Sequence, residues 1–118
     1  MKTAQRSDRE ILPLPVKRSI IILNRIFSKE QSGLITAGFI PMEMEDKWFL
    51  FFENDTLFCH RSWTGHCIYQ IHFTWENGCL HASSAEINRD LGQYLNVDDE
   101  KEESLIYSLI ENFLLRRY

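Results

Sequence analysis

Two turns set the frame for this chain. Asn54-Asp55 and Asn77-Gly78 each separate runs rich in β-branched and aromatic residues. An Asn-Gly pair between such runs is a strong short-range hairpin signal. With the break at Ser62–Gly65, these turns divide the segment into four strands: Lys47–Glu53, Thr56–Arg61, His66–Glu76 and Cys79 to about Asn88. Strands joined this tightly can only form an antiparallel meander, because parallel neighbours need crossovers of a dozen or more residues.

The turns also set a register. They pair Glu53 with Thr56, Arg61 with His66 and Glu76 with Cys79, and alternation keeps each cross-strand row on one face. One face then carries Phe49, Phe51, Phe58, Tyr69, Ile71, Phe73, Trp75, Leu80 and Ala82, and it is the expected core. The other face is divided. Leu50, Phe52, Leu57, Cys59, Ile68 and Ile87 are apolar there, whereas Gln70, His72, Thr74, His81 and Ser83 are polar. At the Ser62–Gly65 end the register collects Trp48, Arg61, His66 and Arg89 in one row, with Phe49, His60, Cys67 and Asn88 on the opposite face.

The flanks supply the cover. Residues 1–15, punctuated by Pro13 and Pro15, read as a flexible arm ahead of a single domain over 16–118. Val16, Ile20, Leu23 and Phe27 recur at helical steps, so a helix is expected from Val16 to about Gln31, with Pro15 suited to its first turn and Gly33 to its stop. The run Ile20-Ile21-Ile22 argues for a strand instead. Phe39–Met44 reads as a short edge strand, since Pro41 cannot donate to a ladder. Asp98 or Asp99 caps a C-terminal helix reaching Arg116, with Leu105, Ile106, Leu109, Ile110, Phe113 and Leu114 in one stripe. Its acidic start and the closing Arg116-Arg117 match the helix dipole. The expected fold is therefore α+β: a four- to five-stranded antiparallel meander packed by a C-terminal helix, with an N-terminal helix elsewhere. A homodimer is a second way to cover the half-apolar face.

Composition narrows the partners. A net charge of −4 over 118 residues makes a poor general nucleic-acid binder, because that affinity comes mainly from basic residues. The longest purely apolar run, Ile20–Leu23, is too short to span a bilayer. The expectation is a soluble, cytoplasmic protein with reduced thiols at Cys59, Cys67 and Cys79.

The row at the rim of the sheet is the candidate site. Two arginines and a histidine in adjacent positions repel one another, so something acidic should offset them. Asp90 or the acids Asp98-Asp99-Glu100 do this in one reading. In the other, a small anionic ligand or an acidic protein segment does it, held by Trp48, Arg61, Ser62, Trp63, Thr64, His66, Asn88 and Arg89. Trp48 beside Arg61 allows a cation–π contact. His60 and His66 are candidate bases for an enzyme acting on a phosphorylated or ADP-ribosylated substrate, but no Gly-x-Ser-x-Gly elbow accompanies them. Trp63, at a loop tip, either folds back on the sheet or marks a surface for a protein partner, as in a toxin-neutralising subunit. Ser62 is expected to cap its own turn. Cys59, His60, His66, Cys67, Cys79 and His81 alternate between faces, so no metal site is expected. No phosphate-cradling glycine loop or dinucleotide fingerprint occurs, and no cofactor is expected.

The stretch WFLFFENDTLFCHRSWTGHCIYQIHF, with AEINRDLGQY and the acidic-start helix, resembles a family of small uncharacterised bacterial proteins. The resemblance covers roughly residues 46–116. It is strongest at Trp48-Phe49, His60–Gly65, Cys67-Ile68-Tyr69, Asn88-Arg89-Asp90 and Tyr94. Similar segments occur attached to domains of ADP-ribose chemistry. The resemblance implies a shared signature at the rim but hands over no catalytic residues.

Overall fold

The computed structural model describes residues 2–116. Met1, Arg117 and Tyr118 fall outside it, and with them the expected basic end of the last helix at Arg117. The chain forms β1 (Arg18–Ile26), α1 (Lys29–Ala37), β2 (Trp48–Glu53), β3 (Thr56–Arg61), β4 (Cys67–Glu76), β5 (Cys79–Asn88) and α2 (Asp99–Ile110), the last continuing as a π-helical turn over Glu111–Leu115. The strands make one antiparallel sheet in the order β1-β5-β4-β3-β2, so the α+β meander stands with β1 added beside β5.

The helix expected over Val16–Gln31 does not form. Arg18–Ile26 is an edge strand, and the β-branched run Ile20-Ile21-Ile22 pairs along β5 instead. The helix begins only after Phe27. Ser28 accepts a hydrogen bond from the Gln31 backbone at 3.1 Å, and the Gln31 side chain accepts one from the Ser28 backbone at 3.0 Å. This reciprocal capping fixes the start. Gly33 lies inside α1, and Gly38, at φ 69°, ends it. Of the expected strand Phe39–Met44, only Phe39 pairs, through an isolated bridge to Leu50.

Three irregularities reassign the faces. Within the β2–β3 and β4–β5 hairpins the turn pairs are as expected. Between β3 and β4, however, Cys59 faces Tyr69 while His60 faces Cys67, leaving Ile68 as an extra residue. A second slip, at Ser83, separates Phe73–Ala82 from His72–Ser84. A third shifts β1 against β5 between Ile22 and Arg25. A one-residue bulge turns every later side chain to the opposite face. Leu50, Leu57 and Cys59 therefore join Tyr69, Ile71, Phe73, Ala82, Ala85 and Ile87 in the main core, under Ile35 of α1 and Ile106, Leu109 and Ile110 of α2. Phe49, Phe51 and Phe58, expected in that core, lie on the opposite face.

The N-terminal segment covers that opposite face. It holds one 3-10 turn, Arg6–Asp8, and crosses β2–β4 with Ala4 and Leu14 buried. The Ala4 backbone N–H donates to Ala37 at 2.7 Å, and that of Leu12 donates to Gly65 at 2.9 Å. The Arg6 guanidinium lies 5.0 Å and 4.9 Å from the Phe51 and Phe58 rings. The aromatic surface of β2 and β3 is thus packed by the chain itself. No helix of the described residues is long and apolar enough to cross a membrane.

Candidate functional site at the rim of the sheet

The loop between β3 and β4 is built on Arg61. Its backbone N–H donates to His66 and its carbonyl accepts from Gly65, each at 2.9 Å. Ser62 does not cap its own turn as expected. Its hydroxyl donates to the Asp46 carbonyl at 2.6 Å, and its backbone N–H donates to Lys47 at 2.9 Å. These two bonds tie the loop to the residues entering β2. Trp63 donates its indole N–H to the Met44 carbonyl at 3.1 Å yet remains 69% exposed, so it both anchors and projects. Thr64 accepts from the His66 backbone at 3.2 Å.

Together these contacts shape an open groove of about 500 Å³ lined by Lys47, Arg61, Trp63, Thr64, His66, Gly92 and Gln93. Among the described residues, neither Lys47 nor Arg61 has a carboxylate within 4.0 Å, whereas seven other lysine or arginine ion pairs do form. The nearest acid in sequence is committed elsewhere, since Asp46 accepts from the backbones of Met42 and Glu43. His66 brings a buried Nδ1 with no hydrogen-bond partner. The Arg61 guanidinium lies 4.3 Å from the Trp48 ring centroid, which holds it at the rim without neutralising it.

The predicted row breaks at Arg89. Arg89 lies beneath the start of α2, where it donates to Glu102 at 2.8 Å and to Asp99. Glu102 is fully buried and also accepts from Tyr69 and Tyr94, each at 2.9 Å. Burial weighs against the Arg89 charge, but its hydrogen bonds to Asp99 and Glu102 outweigh this and hold it more firmly protonated than usual. Burial likewise pushes both tyrosine hydroxyls up. Of the acids expected to neutralise the row, Asp99 does so for Arg89, and Glu102 was not anticipated.

Asn88 is fully buried and structural in its contacts. Its amide donates to Cys67 and to Gln93, each at 2.8 Å, and its carbonyl oxygen accepts from the Asp90 backbone at 2.8 Å. That places Gly92 and Gln93 in the groove wall. Of the eight expected ligand contacts, Arg61, Trp63, Thr64 and His66 converge on the groove, while Trp48 lines an adjoining hollow on the α2 side. Ser62 and Asn88 hold the walls, and Arg89 is taken up by the acids of α2. His60 lies on the far side of the sheet, 2% exposed, and does not share the groove with His66. Lys47 was missed by sequence reasoning, although a lysine heading a strand paired to the Arg61 loop is a readable signal. Among the described residues no three His, Cys, Asp or Glu side chains cluster in a way that could hold a metal ion. Comparison with protein-family models, curated proteins and solved structures finds no match to this chain.

Proposed function

We propose that this protein is a binding module whose rim groove holds a phosphate- or carboxylate-bearing ligand, or an acidic protein segment. One observation carries the reading: two cations, Lys47 and Arg61, share a groove in which no carboxylate of the described residues reaches them. Arg6, Arg18, Arg25 and Arg89 each pair with a carboxylate of the chain, whereas Lys47 and Arg61 stand together in one groove without one. Exposed ion pairs contribute at most about 1 kcal/mol each, so two cations alone hold inorganic phosphate weakly. A ring stacked on the exposed face of Trp63 adds about 1–3 kcal/mol. The groove therefore favours a nucleotide-like anion over a bare one.

A thermal-shift panel of phosphate, sulfate, nucleotides, NAD and ADP-ribose tests this, run on the wild type and on Lys47→Ala/Arg61→Ala. Ligand binding to the folded state raises the midpoint. The expected result is a rise in the wild type, larger for nucleotides than for phosphate, and none in the variant. Equal shifts in both proteins would contradict the proposal.

His66 supports a second reading, an enzyme acting on a phosphorylated or ADP-ribosylated substrate, because it lines the groove and its Nδ1 has no hydrogen-bond partner in the protein. Turnover of such a substrate, lost in His66→Gln with binding retained, would favour it.

A further inference from the structure

The opposite side of the sheet holds a separate cavity of about 480 Å³, between the N-terminal segment and β3–β4. Ile11, Leu12, Pro13, Leu14 and Phe58 supply apolar walls, and Arg6, Arg18, Gln70 and His60 supply the polar ones. Its volume lies in the range of small-molecule sites.

The chemistry of His60 defines what fits. Its Nδ1 is 2.9 Å from the Gly65 carbonyl oxygen, which can only accept, so Nδ1 carries the proton. In the neutral ring Nε2 is then a bare acceptor, and this buried atom has no partner in the protein. The ring stacks on Phe51 at 5.6 Å and 16°, which covers its flat face and leaves its edge for polar contact. Burial favours the neutral ring, the bond to Gly65 opposes this, and the charge of Arg6 adds to it. An unmet buried acceptor costs about 1–3 kcal/mol.

The arginines do not make this cavity an anion trap. Arg6 pairs with Glu53 at 2.9 Å. Arg18 pairs with Glu86 at 3.0 Å and donates to the Leu14 and Pro15 carbonyls. Burial pushes the Glu86 carboxyl up, but hydrogen bonds from His72 and Arg18 outweigh it and keep it ionised opposite Arg18. A carboxylate or a phosphomonoester dianion has no hydrogen to give Nε2.

We propose that this cavity is a second binding site, for a small, neutral and largely apolar molecule whose O–H or N–H donates to His60 Nε2. It is independent of the rim groove, taking the opposite ligand chemistry on the opposite face of the sheet.

Indole and N-methylindole are matched probes, nearly equal in size, of which only indole has an N–H to donate. Each is titrated into the full chain carrying nitrogen-15 histidine while the His60 ring nitrogens are followed by NMR. Indole is expected to bind about tenfold more tightly, the worth of one satisfied buried acceptor, and to move the Nε2 resonance. Lys47→Ala/Arg61→Ala should leave both results unchanged, so failure of the rim site does not touch this one. In His60→Phe, if it folds, the two probes should bind equally. Equal affinities for the wild type, an unmoved Nε2 resonance at saturating indole, or no binding of either probe would each overturn the proposal.

Discussion

The guanidinium of Arg61 lies 4.3 Å from the Trp48 ring centroid, and that ring stacks in parallel on Tyr69 at 6.1 Å. Tyr69 in turn donates to Glu102, which pairs with Arg89. The two arginines that alternation places in one row thus sit at opposite ends of a single chain of contacts. One is held inside by acids, and the other is presented outside by an aromatic ring. Their substitutions should behave differently.

Arg89→Ala removes the cation from a carboxylate with no exposure to water, leaving Glu102 only the two tyrosine hydroxyls. Breaking a buried pair in this way costs about 3–5 kcal/mol. Arg61→Ala loses a partly exposed cation–π contact worth about 0.5–1 kcal/mol. Urea unfolding of the two variants should show a large loss for Arg89 and a small one for Arg61. Similar losses would mean that Arg61 too is structural.

Gly65 ties the site loop to the N-terminal segment. It adopts φ +80°, and a Cβ placed there would lie 2.9 Å from the Glu10 carbonyl oxygen. Gly65→Ala combines a left-handed backbone with a clash against main chain, a strain of about 1–3 kcal/mol. The Leu12 bond to the same residue should weaken with it. Limited proteolysis would then cut within residues 2–17 faster in the variant, while equal rates would show that the contact holds nothing down.

The sequence showed the hairpins because their turns are local. Asn54, Asp55 and Asn77 all adopt positive φ, as tight two-residue turns demand, and those pairings follow directly. The bulges at Ile68 and Ser83 carry no such mark. Neither is a glycine or proline, so nothing in the local sequence announces the shift in register. Alternation carried through them put Phe49, Phe51 and Phe58 on the wrong face and Arg89 in the wrong row. The half of the site before the first bulge, Trp48 and Arg61–His66, came through because no irregularity intervenes. Val16, Ile20, Leu23 and Phe27 fit a helix by spacing, but a β-branched run finds a better place beside β5.

His60 should give stability a pH dependence. Burial holds its folded-state value below the ordinary 6.5. Above 6.5 the ring is neutral in both states and contributes no slope. Below 6.5 the unfolded chain binds the proton first, so stability falls as pH falls until the folded value is reached. One such group changes stability by at most about 1.4 kcal/mol per pH unit. Urea midpoints measured across this window should decline in the wild type and decline less in His60→Phe. Parallel curves would assign the slope to other groups.

The three cysteines should separate by reactivity. Burial pushes the Cys67 thiol up to about 12 and raises that of Cys59 well above its usual value, whereas Cys79 is partly exposed. Only a thiolate attacks a disulfide reagent. Thiol titration of the native protein should count one fast group, lost in Cys79→Ser, with the other two appearing on unfolding. Three fast thiols would show that the sheet opens readily around Cys59 and Cys67.

The most direct measurement is a backbone amide NMR titration of the full chain with ADP, chosen because it offers both a phosphate and a stacking ring. Shifts are expected at Lys47, Arg61–His66 and Gly92–Gln93 alone, and are abolished in Lys47→Ala/Arg61→Ala. An undisturbed groove at saturating ADP, or shifts that persist in the variant, would contradict it.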